Sequence, residues 1–213
     1  MNLAELEQAC FCYGSETKYD RSYLQFLQTI NSILDLNNEE HRFALMKWLN
    51  HWGCRQFSKE YHDFAQKKLH VWYKEYADQL FTVNRNLWEF GGEDLPIIRN
   101  LYESLLNLEA SYYSRGNKII LKRFGPTGAA KILFAIRPKC FAPWDKAIRN
   151  YFGYDKSPDS YVLYIQNINN KLHSLELNGF TLAELPEKIH RPNSSVPKII
   201  DEYFFVTIRN MRL

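Results

Sequence analysis

Apolar residues recur at the spacing of one helix face along most of this chain. From Asp20 onward, Tyr23, Leu27, Ile30 and Leu34 share such a face. Asn37-Asn38 then caps a helix carrying Phe43, Met46 and Leu49, which ends near Gly53. Ser58 opens a longer helix to about Gln79, with Tyr61, Phe64, Leu69, Trp72 and Tyr76 along it. Gly91-Gly92 breaks the chain, and Asp94 with Pro96 starts a helix to about Ala110, striped by Ile98, Leu101, Leu105 and Leu108.

Residues 118–124 and 127–136 read as two short helices around a tight Gly125-Pro126 turn, and Asp145 opens a third. Ser157-Pro158 caps a helix over 159–177. Thr181 and Glu184 are spaced as a capping box, and Ser195-Val196-Pro197 opens a last helix bearing Ile200, Tyr203, Phe204, Thr207 and Met211. The chain begins with a short helix over 1–8 and a loop around Gly14. No segment alternates as a strand should; 204–208 comes nearest, and the helical spacing around it overrules it. The pattern predicts an all-α fold, a single domain over 1–213. Two helical lobes are expected, about 1–93 with the C-terminal helices, and 94–153, with a helical hairpin at 118–136 between them.

Composition narrows the class. With 213 residues, 46% of them hydrophobic, there is ample material for a core. No apolar run is long enough to span a membrane, and the first residues, MNLAELEQAC, are acidic where a signal peptide is basic. Cys10, Cys12, Cys54 and Cys140 are too scattered for a zinc site and read as reduced thiols, so a cytoplasmic protein is expected. The histidines offer no i, i+4 pair with an acidic frame, and neither a metal nor a cofactor is expected.

Charge changes the picture more. Between Arg115 and Asn150 stand nine basic residues and one acid, Asp145, so this segment is +8 in a chain of +3 and the remainder is −5. Such a patch is the electrostatic footprint of a nucleic-acid surface. Within it, Gly125, Thr127, Gly128 and Ala129 stand at a helix start that Gly128, Ala129 and Ala130 leave free of bulk, where unpaired N–H groups suit a phosphate. Lys118, Lys122, Arg123 and Lys131 surround that start, and together these residues are the expected contacts to double-stranded DNA. The run from Gly125 to Lys131 lacks the P-loop spacing, which argues against nucleotide hydrolysis.

The order of a glycine-turn hairpin (GPTGAAKIL, 125–133), a short loop and an aspartate opening a helix (WDKAIR, 144–149) resembles the helix-hairpin-helix DNA glycosylase superfamily. The likeness is direct over about 118–152 and architectural elsewhere. It implies a base-flipping enzyme in which Asp145 is the catalytic carboxylate, stabilising positive charge on the sugar as the N-glycosidic bond breaks. Bifunctional members carry a lysine early in the second hairpin helix. Here Thr127 or Gly128 stands at that place and Lys131 lies a turn later, so the resemblance implies a monofunctional enzyme without lyase activity. The four-cysteine cluster loop of some members is absent. Trp52, Arg55 and Trp144 are the candidates for the base pocket.

The excised base is expected to be a modified base in phage DNA, such as a hypermodified cytosine, since compact members of the superfamily act in defence. An ordinary lesion in base excision repair is the alternative, as is a non-catalytic helix-hairpin-helix DNA-binding module. Neither a membrane nor an obligatory protein partner is expected.

Overall fold

The computed structural model describes residues 1–54, 59–116 and 118–211, and among them ten α-helices and one two-stranded sheet. Short polar side chains set where several helices begin. Asn2 and Glu5 form a capping box at the start of α1 (Leu3–Glu16), which runs twice as far as the sequence pattern suggests and absorbs Gly14. After α2 (Tyr19–Thr29), the Asn38 side chain accepts from the Glu40 N–H and opens α3 (Glu39–His51). A 3₁₀ turn, Lys59–Tyr61, leads into α4 (His62–Tyr76), and another, Ala77–Gln79, follows it. Ser58, expected to open this helix, lies outside the described residues.

The helix after the glycine pair, α5 (Leu95–Asn107), stops short of Ala110 because the chain turns into a strand. Strand β1 (Glu109–Arg115) pairs antiparallel with β2 (Lys118–Arg123), Tyr112 facing Leu121 and Tyr113 facing Ile120. The first helix expected in the hairpin, 118–124, is therefore a strand. Its apolar positions do not choose a helix face: Ile119 and Leu121 are exposed, and β-branched Ile119 and Ile120 suit a pleated ribbon. Gly116, at φ +60, serves the turn, and the Phe124 N–H donates to the Leu108 carbonyl at 2.9 Å to close the ribbon at its base. Tyr112 rests edge-on against Tyr61 and Phe64, at 4.9 and 5.6 Å, which leans the ribbon on the start of α4.

Beyond the ribbon, α6 (Gly125–Ile136) packs against α5 and is buried from Gly128 onward. Asp145 caps α7 (Lys146–Phe152), which ends at Gly153 with φ +70. Ser157 caps α8 (Pro158–His173). Only half of the expected Thr181–Glu184 box forms: Glu184 accepts the Thr181 N–H and hydroxyl. The Thr181 side chain does not cap α9 (Leu185–Lys188), where Glu184 itself stands at the cap position, while Ser195 caps α10 (Val196–Asn210). One contiguous apolar cluster, from Leu6 to Ile208, draws on all ten helices. The chain is thus predominantly α-helical, and α1 packs on α10, which brings distant parts of the sequence together. No helix among the described residues is long and apolar enough to cross a membrane.

Candidate active site

Asp145 sits where a short loop becomes α7. Its backbone is extended (φ −122, ψ −173) and its Oδ1 accepts the Ile148 N–H at 2.9 Å. The loop behind it is held from three sides. Tyr161 and Tyr164 of α8 donate their hydroxyls to the Ala142 and Pro143 carbonyls, both at 3.0 Å. Trp144 donates its indole N–H to the Pro126 carbonyl at 3.2 Å. Arg149 lies over the Trp144 ring at 5.4 Å and donates to Thr127 Oγ1 at 3.3 Å. Buried hydrogen bonds of this kind fix a backbone because breaking one strands a polar group away from water.

Trp144 is part of this clamp and does not line the cavity that Asp145 lines. It is fully buried in a cage of Tyr102, Tyr161 and Tyr164, at centroid distances of 5.9, 5.1 and 5.3 Å. Trp52 has the other fate. It ends α3, ahead of Gly53 at φ +82, and lines a small cavity of about 70 Å³ with Tyr13, Tyr19, Lys131, Asp145, Asp201 and Phe205. Its indole N–H donates to the Tyr19 carbonyl at 3.1 Å, and its ring stacks on Phe134, 9° from parallel. Arg55, the third pocket candidate, lies outside the described residues.

The expected DNA contacts divide. Lys118, Lys122 and Arg123 are exposed on the ribbon, Lys122 over the Tyr113 ring at 5.0 Å and Arg123 donating to Asn107 at 2.8 Å. Gly125 and Thr127 are partly exposed, while Gly128 and Ala129 are buried. Lys131 departs from the expectation. Only 8% exposed, it donates to the Trp52 carbonyl and lies 5.2 Å over the Trp52 ring. From Gly128 onward α6 is buried on every side, so Lys131 has no face open to water while the ribbon lysines are exposed. The cation belongs to the cavity that Asp145 lines.

Behind the cavity lies a buried charge network that the sequence pattern did not single out. Lys198 pairs with Glu202 at 2.7 Å, both side chains fully buried. Arg191 reaches the same Glu202 at 2.6 Å and grips Asp20 with two hydrogen bonds of 2.8 and 2.7 Å. The Lys198 ammonium faces Tyr13, Trp52 and Tyr23 at 4.1, 5.2 and 5.9 Å. Burial alone would raise the Asp20 carboxyl, but the Arg191 hydrogen bonds, the Lys198 charge and the Arg191 charge hold it below the usual range. Asp201, on the cavity wall, goes the other way. Burial pushes it up to about 7 against the opposing charges of Lys198 and Lys131, with Asp145 and Glu202 adding to the rise. In sequence, Lys198 and Glu202 look like an ordinary i, i+4 surface pair. Their one distinguishing mark is the setting, between Ile199-Ile200 and Phe204.

Wider grooves exist, including one of about 570 Å³ between α2 and α3, but it does not include Asp145, Lys131 or Asp201. Comparison of the chain with protein-family models, curated proteins and solved structures finds no match.

Proposed function

We propose that the chain is a DNA glycosylase: it extrudes one base from duplex DNA and hydrolyses its N-glycosidic bond, leaving an abasic site. The observation that carries this reading is the placement of Asp145, clamped from behind and facing a cavity walled by Trp52 and Lys131. Cleaving the bond from base to sugar develops positive charge at C1′. A carboxylate fixed beside that carbon stabilises the charge without reorganising, and it can take a proton from the attacking water. Trp52 walls the space that an extruded base would enter, its ring already held by Phe134, Lys131 and Lys198.

The cavity in its closed form has room for a few waters and not for a base. Tyr19 and Phe205, partly exposed and edge-to-face at 6.0 Å, are the rings that part to admit one. The grip on DNA falls to the ribbon, where Arg115, Lys118, Lys122 and Arg123 are exposed beside Tyr112, Tyr113 and Ile119. In this reading the ribbon takes the place of the first helix of a helix-hairpin-helix element, and α6 remains as the second. Lys131 is tied to the Trp52 carbonyl and serves the site as a fixed charge, so no strand cleavage accompanies base release.

The test is single-turnover incubation with duplex DNA of several modification types, hypermodified cytosines and ordinary lesions among them, with released bases identified by mass spectrometry. Wild type should release a base. Asp145→Asn should lose on the order of 100- to 1,000-fold in rate with unchanged melting, because asparagine caps a helix as well as aspartate does. Borohydride should trap no covalent adduct. Failure to release any base, or an Asp145→Asn variant at wild-type rate, would sink the reading.

A further inference from the structure

Two carboxyls line the cavity, and they are held differently. Asp145 commits one oxygen to the Ile148 N–H. Asp201 accepts no hydrogen bond and forms no ion pair among the described residues, although a lysine stands one turn before it on α10. That lysine, Lys198, spends its ammonium on Glu202 and on the aromatic faces around it. Every other buried or half-buried acid near the cavity is claimed: Asp20 by Arg191, Glu202 by Arg191 and Lys198. Asp201 is half-buried and open to the cavity, so its unpartnered carboxyl is free to share a proton with, or meet, whatever enters.

We infer that Asp201 is the second carboxyl of the site, the general acid that protonates the departing base while Asp145 supports the sugar. This rests on the glycosylase reading above. In the step proposed, the C1′–N bond breaks and its electron pair leaves with the base. The Asp201 proton moves to a nitrogen or oxygen of that base. Water adds its oxygen to C1′ and gives its proton to Asp145, and exchange through the opened cavity returns the proton from Asp145 to Asp201. The sum is hydrolysis: one water consumed, one neutral base and one abasic sugar formed.

The surroundings support a proton held near neutral pH. The groups facing Asp201 are Lys198 and Glu202 on its own helix, Lys131 on α6, Asp145 ahead of α7, Tyr13 on α1 and Tyr164 on α8. The burial of Asp201 outweighs the two lysines and places its titration at about 7. Two carboxyls in one site, separated by their environments, are how an enzyme assigns acid and base roles.

The experiment is the pH–rate profile of single-turnover base release by wild type, Asp201→Asn and Asp145→Asn, with melting curves for each. Wild type should lose rate as pH rises through about 7, since the acid must carry its proton. Asp201→Asn should fall on the order of 100- to 10,000-fold and lose that alkaline limb. Its deficit should shrink on a substrate whose base leaves readily without protonation, which a merely structural role would not produce. If wild type releases base and Asp201→Asn keeps both rate and limb, Asp201 is not the acid and the glycosylase reading survives. If wild type releases no base from any DNA, both fall together. Should Asp201→Asn fail to fold, the wild-type profile alone decides: an alkaline limb near pH 7 supports the acid, and a flat profile overturns it.

Discussion

Lys122 and Lys131 come from one basic stretch of sequence and end in opposite worlds. Lys122 stands in water on a two-stranded ribbon, its ammonium over Tyr113. Lys131 is buried, its ammonium against the carbonyl and ring of Trp52. Both make a cation–π contact at nearly the same distance, 5.0 and 5.2 Å. What differs is the medium. A charge on the ribbon is screened within about 10 Å at ordinary salt and acts at a distance only by attracting polyanions. A charge at the cavity is screened little and acts on the few groups that face it. The same residue type is therefore screened by water at one place and left almost unscreened at the other.

A buried charge is most costly to disturb at Lys198. Lys198→Ala leaves Glu202 buried with Arg191 as its remaining cation and removes an ammonium from three aromatic rings. Loss of one partner of a buried pair should cost about 3–5 kcal/mol of stability, read by denaturant unfolding. A cost below ~1 kcal/mol would mean that the network behaves like a surface pair.

Asp201 moves stability in the opposite direction. Its carboxyl binds a proton in the folded chain that the unfolded chain has already lost between its ordinary value and about 7. Stability therefore falls as pH rises through that window. Asp201→Asn removes this penalty. At pH 8 the variant should be more stable than wild type by on the order of 2 kcal/mol, and near pH 4 the two should converge. Equal melting at both pH values would place Asp201 in a wetter setting.

The smallest effect on the fold belongs to the ribbon. Lys122→Ala with Arg123→Ala should change stability by less than ~0.5 kcal/mol, the range of surface substitutions. It should flatten the salt dependence of DNA binding by about 0.9 for each phosphate that the variant no longer neutralises. An unchanged slope would put the DNA face elsewhere and leave these charges merely solvated.

Helix starts are the most legible part of the sequence, because a cap is a local event. Asn38, Asp145, Ser157 and Ser195 each accept a backbone N–H where the pattern expects a cap. The ribbon is hidden by its exposure. A strand reveals itself when one face is buried, and β2 has no buried residue, so its apolar positions fit a helix equally well. On the site, the cap position of Asp145 and the aromatic Trp52 are readable. Trp144 misleads because both tryptophans look alike until one finds the Pro126 carbonyl and a cage of tyrosines. Asp201 is out of reach. Whether an acid on an amphipathic helix faces water or a cavity depends on α1 and α6, which lie far from it in sequence.

That separation bears on when the protein becomes competent. The Arg191–Asp20 contact spans 171 residues, and α10 packs on α1. A ribosome delivers Tyr13, Trp52, Lys131 and Asp145 first, and Lys198, Asp201 and Glu202 follow after α1 to α9 have been made. Until then Tyr13 and Trp52 have no ammonium between them and the cavity lacks a wall. Closure over so long a loop is slow compared with helix formation. A nascent chain would therefore hold helices and apolar clusters well before α10 docks on α1 and completes the cavity.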